Sequence, residues 1–522
     1  MKKKSTEETF IMELPLKVEK FQSDELNKRF ELMRRIYNSA QNKLERQYKY
    51  LLSFKEYTEC NTKKEKGDFL NNHPFSFKGV LNKNSEPMKI TFSEFGLKSY
   101  LADFAKKKVD SQYTYSDFGI NTPMLMAMAM AIWSAWKKVI YDPKAKDIHY
   151  KKSGDLKSIA VDWEPKHQSG MYLDINKGLL NLNINGRRGQ YAKYLTFPIK
   201  FGKKERQLWY EGDALRGGEE SIRCLAIVRR KYNGQFRYFL QLTIRNSTPT
   251  KDRTLGKGRV AIDLGIYKIA VFTGDQVYFF PLAPNCREID EKLAVLQRQM
   301  ERSKRISNPQ FFNADGTYIK AKKHEHRKWN FTKEYLKLRA MKAELQRKQA
   351  AVRKQDHIDL ANHLLSFGDE FIIEDNDVKA WTERKKEERK REKDGKNLSK
   401  KGLGKPIGSH APAAFVTLLA NKVKALRGTF TKVAVDNGAT DYDFINDTFT
   451  PHELKERYIT LCNGVTHQRD SLAAFNLYYI DTNPEKSRCY DRKAMKRGYK
   501  KFQELEKEAL KQWKNNHNIT SY

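Results

Sequence analysis

The chain opens on a two-residue rhythm. "TFIMELPLKVEKF", residues 9–21, alternates apolar and polar positions as a half-buried strand does. The rhythm then lengthens. In residues 23–52 Leu26, Phe30, Met33, Tyr37, Ala40 and Leu44 recur at helical spacing. Ser23 or Asp24 is placed to cap this helix, and Arg34, Arg35 and Arg46 lie among its polar positions. "TPMLMAMAMAIWSAWKKVIY", residues 122–141, is a second helical run whose Met/Ala/Trp surface suits helix packing. From about residue 155 to 250 period two returns, and Asn233-Gly234 between apolar runs predicts a hairpin. These strands predict an antiparallel barrel or sandwich, which the first strand can join.

A third region starts near residue 256. "GRVAIDLGIYKIAVF", residues 258–272, predicts two buried strands with Asp263 inside the first. Long charged helices follow over residues 287–306 and 333–368, then the apolar strand "FIIE" ending on Glu374. Residues 382–410 form a basic stretch with glycines toward its end, and residues 411–428 an amphipathic helix. "THQRDSLAAFNLYYI", residues 466–480, sets Asp470 at a helix start with Ala473, Ala474 and Leu477 on one face. Residues 481–522 read as a charged, peripheral helical tail. No internal repeat is visible.

Charge changes the picture. Lys and Arg total 100 against 64 Asp and Glu, a formal net charge of +36 over 522 residues. That much self-repulsion points to a polyanionic partner, and phosphate backbones are the usual one. No apolar run reaches the roughly 18 residues of a membrane span, and the basic N-terminus lacks the apolar core of a signal peptide. The five cysteines (Cys60, Cys224, Cys286, Cys462, Cys489) include no CxxC pair, as expected of reduced thiols in a cytosolic protein.

Asp263, Glu374 and Asp470 are three separated acids of the third region. Each alone is more readily a cap, a salt bridge or an exposed side chain. Together they suit a hard divalent cation, because carboxylate oxygens satisfy Mg²⁺ while water and substrate phosphate complete its shell. Two such ions hydrolyse a phosphodiester without a serine, cysteine or histidine nucleophile.

"AIDLGIYKIAVFTG", "FIIEDNDVKAW" and "HQRDSLAAFN", in that order, resemble the three motifs of the split RuvC-type nuclease domain of transposon-encoded TnpB proteins and compact type V CRISPR effectors. The helical pair between the first two motifs is similar too. The resemblance implies a multidomain α+β chain: an RNase H-like (RuvC) α/β nuclease domain, an α-helical recognition domain and a β-barrel wedge-like domain. Laid on this sequence, 1–21 is the first wedge strand, 22–150 the recognition domain and 151–255 the wedge. Residues 256–434 form the first nuclease part, with a basic lid at 384–410. Residues 435–466 take the zinc-ribbon position, 467–480 the last motif and 481–522 the tail.

The resemblance further implies an RNA-guided, Mg²⁺-dependent DNA endonuclease with Asp263, Glu374 and Asp470 as catalytic metal ligands for two Mg²⁺ (Mn²⁺ possible). Guide RNA and target DNA are the implied partners, with a short, T-rich flanking motif read by protein. Arg384, Lys385, Arg389, Lys390, Arg391, Lys400 and Lys401 of the lid would hold a single-stranded backbone. The implied setting is the cytoplasm of a prokaryotic cell, on the nucleoid when DNA is bound, with no membrane and a monomer as the default state. Relatives that bind without cutting give the alternative of an RNA-guided repressor, but these typically lose a triad acid. A sugar kinase reading of "DLG" lacks downstream glycine-rich phosphate loops.

Two departures stand out. Many members carry a zinc ribbon of two CxxC-like pairs before the last aspartate. Here the segment retains Cys462 alone, with His452 and His467 at spacings that make no standard four-ligand site. The expectation is no structural zinc, with Phe444, Phe449, Leu454, Tyr458 and Leu461 packing in its place. Leu472 also stands where relatives often have asparagine.

Overall fold

The computed structural model describes residues 8–72, 76–81, 87–89, 92–142, 145, 148–162, 170–187, 189–245, 254–322, 325–382, 403–452, 456–483 and 488–517. The chain divides into two units, Met1–Pro249 and Thr250–Tyr522. Among the described residues, no helix is long and apolar enough to cross a membrane.

In the first unit β1 (Thr9–Pro15) leads into the long helix α1 (Lys20–Leu51). This helix begins before Ser23, because Gln22 Oε1 reaches back to accept the Glu19 backbone N–H at 3.0 Å. Leu26, Phe30, Met33, Ile36, Ala40 and Leu44 form its buried stripe, whereas Tyr37 is half-buried. Then come α2 (Lys55–Thr58), α3 (Lys63–Asn72), a hairpin of β2 (Ser76–Leu81) and β3 (Pro87–Lys89), α4 (Glu94–Ala102) and α5 (Thr122–Tyr141). The Met/Ala/Trp run is core: Trp136 is buried, its Nε1–H donating to Gln41 Oε1 at 3.0 Å.

The strands of this unit are β4 (Ser158–Asp162), β5 (Met171–Asp174), β6 (Leu179–Asn183), β7 (Tyr194–Pro198), β8 (Ile222–Tyr232) and β9 (Gln235–Arg245), with α6 (Glu205–Ala214) between β7 and β8. Asn233 and Gly234 turn β8 into β9 with φ of 48° and 82°, the positive values that a two-residue hairpin demands. The strands form two antiparallel sheets, β1-β9-β8-β4 and β5-β6-β7, and not the closed barrel that was expected. A lone bridge, Leu16 to Ile199, links them, and among the described residues β4 and β5 do not pair. The prolines at the strand ends shape this link: their carbonyls accept the Lys200 and Lys17 backbone N–H groups, both at 2.8 Å. Pro15 ends β1 and Pro198 ends β7, and neither has an N–H to extend the ladder.

The second unit is built on a mixed sheet of order β12-β11-β10-β13-β14. Strands β10 (Arg259–Leu264), β11 (Lys268–Phe272) and β12 (Val277–Pro281) run antiparallel, while β13 (Glu370–Glu374) and β14 (Thr429–Val433) continue parallel to β10. Helices α7 (Arg287–Ser307) and α8 (Lys333–Leu364) separate β12 from β13, and α9 (Gly404–His410) and α10 (Pro412–Ala425) precede β14. Val260, Ile262 and Leu264 of β10 pack against α8 and α10. Ala261, of opposite parity, packs with Ile372 and with Leu477 of α11 (Arg469–Tyr478). Val260, Ile262, Ile269, Val271, Phe371 and Ile373 are almost wholly buried, each contributing about 1.5–3 kcal/mol.

After β14, two short ladders, β15 (Tyr442–Asp443) with β16 (Thr448–Phe449) and β17 (Tyr458–Thr460) with β18 (Thr466–Gln468), take the zinc-ribbon position. Phe444 and Leu461 are buried there and Phe449 stacks on Tyr442 at 4.7 Å, but Tyr458 is exposed and Leu454 lies outside the described residues. The final helix, α12 (Arg492–His517), is not peripheral. Its Met495, Phe502, Ala509 and Trp513 share a core with Phe272 and Phe475.

Candidate active site

Strand periodicity places Asp263 on the α11 side of the sheet, since it shares parity with Ala261. The parallel register pairs Ile262 with Ile373, so the next positions, Asp263 and Glu374, are neighbours across two strands. Asp470 sits in the first turn of α11, which packs over β10 and β11, where the helix dipole favours a carboxylate. Small residues on both sides, Ala261 and Ala270 below and Ala473 and Ala474 above, let the helix come close.

Of the three acids, Asp263 feels the charges of the other two. Burial, followed by the charges of Asp470 and Glu374, raises the Asp263 carboxyl well above its usual range, against opposition from Arg469 and Lys268. Burial pushes Glu374 up to about 7, although Asn376 and the Ala439 backbone N–H donate to it. Asp470 goes the other way. Burial opposes its charge, but Lys268, Gln468 and Arg469 together hold it below the ordinary carboxylate value.

The contacts are direct: Lys268 Nζ lies 3.3 Å from Asp470 Oδ2, Gln468 Nε2 donates to that oxygen at 2.9 Å, and Arg469 Nη2 donates to Oδ1 at 3.0 Å. Among the described residues, no three acid, histidine or cysteine side chains are close enough together to enclose an ion. The donor set is nevertheless all oxygen and mutually repelling, which is the chemistry a hard divalent cation relieves.

Lys268, Gln468 and Arg469 are site residues that sequence reasoning missed. A hairpin register would have found Lys268, because Leu264 pairs with Ile269 across the turn. Gly265 serves that turn. A Cβ there would lie 2.5 Å from the Lys268 carbonyl oxygen, so its role is close backbone approach. Leu472 is fully buried core. Asn476, also fully buried, donates to the carbonyls of Ala439 and Tyr442 at 2.8 and 2.9 Å.

The three residues at the zinc-ribbon position are dispersed. Cys462 is exposed, His452 Nδ1 meets Glu456 at 3.1 Å, and buried His467 meets Glu506. Arg384, Lys385, Arg389, Lys390, Arg391, Lys400 and Lys401 lie outside the described residues.

No protein-family model and no curated protein matches the chain. Among solved structures, a Cas12f1–sgRNA–target DNA complex is similar at 12% identity over 90% of this chain and 84% of that one, with a TM-score of 0.47. The mini-RNA-guided endonuclease CRISPR-Cas_phi3 is similar at 11% identity over 92% and 94%, with a TM-score of 0.35. CasPhi-2 (Cas12j) bound to crRNA and phosphorothioate DNA is similar at 12% identity over 90% and 91%, with a TM-score of 0.28. These are compact type V CRISPR effectors, the class whose motifs the sequence resembles. At TM-scores below 0.5 the likeness adds no weight to the reading of the site, which rests on its own residues.

Proposed function

We propose that this chain is an RNA-guided DNA endonuclease with one RuvC-type site formed by Asp263, Glu374 and Asp470. One observation supports the reading: Asp263 and Glu374 take matching positions on neighbouring strands of a sheet ordered β12-β11-β10-β13-β14, and Asp470 opens the helix packed over it, its charge acting on Asp263. That order, with three antiparallel strands followed by two parallel ones, supports an RNase H-like domain. The net charge of +36 supports guide RNA and target DNA as partners. A short T-rich motif beside the target would license cleavage.

Two Mg²⁺ ions, with Mn²⁺ as a substitute, held by the three acids would supply an activated water and stabilise the leaving oxygen. The chain's own groups prepare the site. Lys268 and Arg469 keep Asp470 ionised, Gln468 fixes its Oδ2, and Glu374, raised to about 7 by burial, would have to be ionised to hold a cation.

The Lys268–Asp470 ion pair favours a second reading, an RNA-guided DNA-binding repressor that does not cut. Purified ribonucleoprotein incubated with matched target DNA and Mg²⁺ separates the two. Cleavage that Asp263→Ala abolishes, with target binding retained, is the expected result. Binding without cleavage across guides and flanking motifs would overturn the nuclease.

A further inference from the structure

Glu506 is an acid in the wrong company. It lies within α12, is 4% exposed, and belongs to the helix whose Phe502, Ala509 and Trp513 are core. A carboxylate is costly in such a place unless its lone pairs are met. Packing alone would be served by leucine or methionine.

Three donors meet it. Oε1 accepts the Gln468 backbone N–H at 2.9 Å and the Ser471 hydroxyl at 2.5 Å, and Oε2 lies 2.6 Å from His467 Nδ1. His467 is 1% exposed, and its Nε2 lies 2.7 Å from the Tyr499 hydroxyl, again on α12. With Nδ1–H donating to the carboxylate, Nε2 is left to accept from Tyr499. Asn463 Nδ2 donates in turn to the Tyr499 oxygen at 3.3 Å.

The three bonds to Glu506 end on the junction of β18 and α11, and Asp470 stands between two of the residues it grips, Gln468 and Ser471. Gln468 carries the effect onward. Its Oε1 accepts the Ser471 N–H at 2.8 Å while its Nε2 donates to Asp470 Oδ2. Main chain, cap and catalytic carboxyl are therefore in one chain of hydrogen bonds that starts at Glu506.

We propose that Glu506 is a positioning residue. Its carboxylate fixes the 467–471 junction and thereby the aim of Asp470, which makes the C-terminal helix part of the active-site machinery. The functional half of this inference rests on the nuclease reading above; the positional half does not.

The test uses the full chain with guide RNA and three variants: Glu506→Ala, Glu506→Gln, and Met495→Ala as a packing control on the same helix, where Met495 is fully buried. Removing such an outer support costs about 10–100-fold in metal affinity or activity. For Glu506→Ala we expect a loss of that size in kcat, with KM for target DNA unchanged and faster amide hydrogen exchange in the peptide spanning residues 466–472. Glu506→Gln should recover most of both, because its amide oxygen still accepts from Gln468 and Ser471. Met495→Ala should lower Tm while leaving kcat and that peptide's exchange near wild type.

Wild-type kcat and exchange in Glu506→Ala would overturn the proposal. So would equal losses of kcat in Glu506→Ala and Met495→Ala. If the wild type cuts nothing with any guide, the nuclease reading fails, and exchange alone decides the positioning. Unchanged exchange in Glu506→Ala then overturns it.

Discussion

Asp263 and Glu374 hold protons longer than exposed carboxylates do, and this gives the metal-free protein a pH signature. Glu374 titrates near 7 in the fold against 4.5 ordinarily. Between those values the native state binds more protons than the unfolded chain, so stability falls as pH rises through that window. Asp263 adds to the same trend. Asp470, held low, contributes stability above its ordinary 3.8 that is lost only in stronger acid. In thermal melts without metal, Tm should therefore drop between pH 5 and pH 8. Mg²⁺ should restore it at pH 8 and do little at pH 5. A Tm that rises with pH in EDTA would refute the assignment.

Asp263→Asn makes the complementary case. At pH 8, where the other two acids are ionised, replacing a buried, repelled carboxyl by an amide should raise the metal-free Tm by about 2 °C, on the order of 1 kcal/mol. Cleavage should fall by two orders of magnitude or more. Differential scanning fluorimetry beside a cleavage assay measures both.

At the level of elements, α11 meets the sheet across small residues on both sides, Ala261 and Ala270 on the strands and Ala474 on the helix. Ala261→Leu should overpack that contact and cost about 1–3 kcal/mol in denaturant melts, with metal binding weakened as the helix is pushed away.

Much of this architecture was legible. The strand of Asp263, the strand ending in Glu374, the helix opened by Asp470 and the Asn233-Gly234 hairpin all follow from periodicity and turn chemistry. The closed barrel did not follow, because strand patterns do not reveal whether edges pair. The contribution of α12 was hidden by its charge, since a lysine-rich helix reads as solvated. Yet the signal existed. Phe502, Glu506, Ala509 and Trp513 fall at i, i+4, i+7 and i+11, so Glu506 lies on the apolar stripe. The short ladders at the zinc-ribbon position pack aromatic side chains against α11 and α12, and we expect no stoichiometric zinc there. Elemental analysis of protein purified without chelator checks this.

For the molecule as a whole, charge is the dominant quantity. A net +36 opposes compaction and is offset when phosphates bind. A protein that neutralises six or more phosphates loses about 10³-fold or more in affinity between 50 and 200 mM salt. Guide RNA binding, measured by filter retention over that range, should show such a slope. A flat profile would leave the charge without its partner.

The smallest link in the site bears on how the whole of it can move. Asn476 ties α11 to the carbonyls of Ala439 and Tyr442, and the Ala439 N–H is bonded to Glu374. The helix that carries Asp470 is thereby tied to the loop that holds Glu374, whose strand lies beside that of Asp263. Asp263 and Glu374 share the sheet, so any change in the gap between the three acids is a movement of α11 against it, and Asn476 is the tie that such a movement must strain.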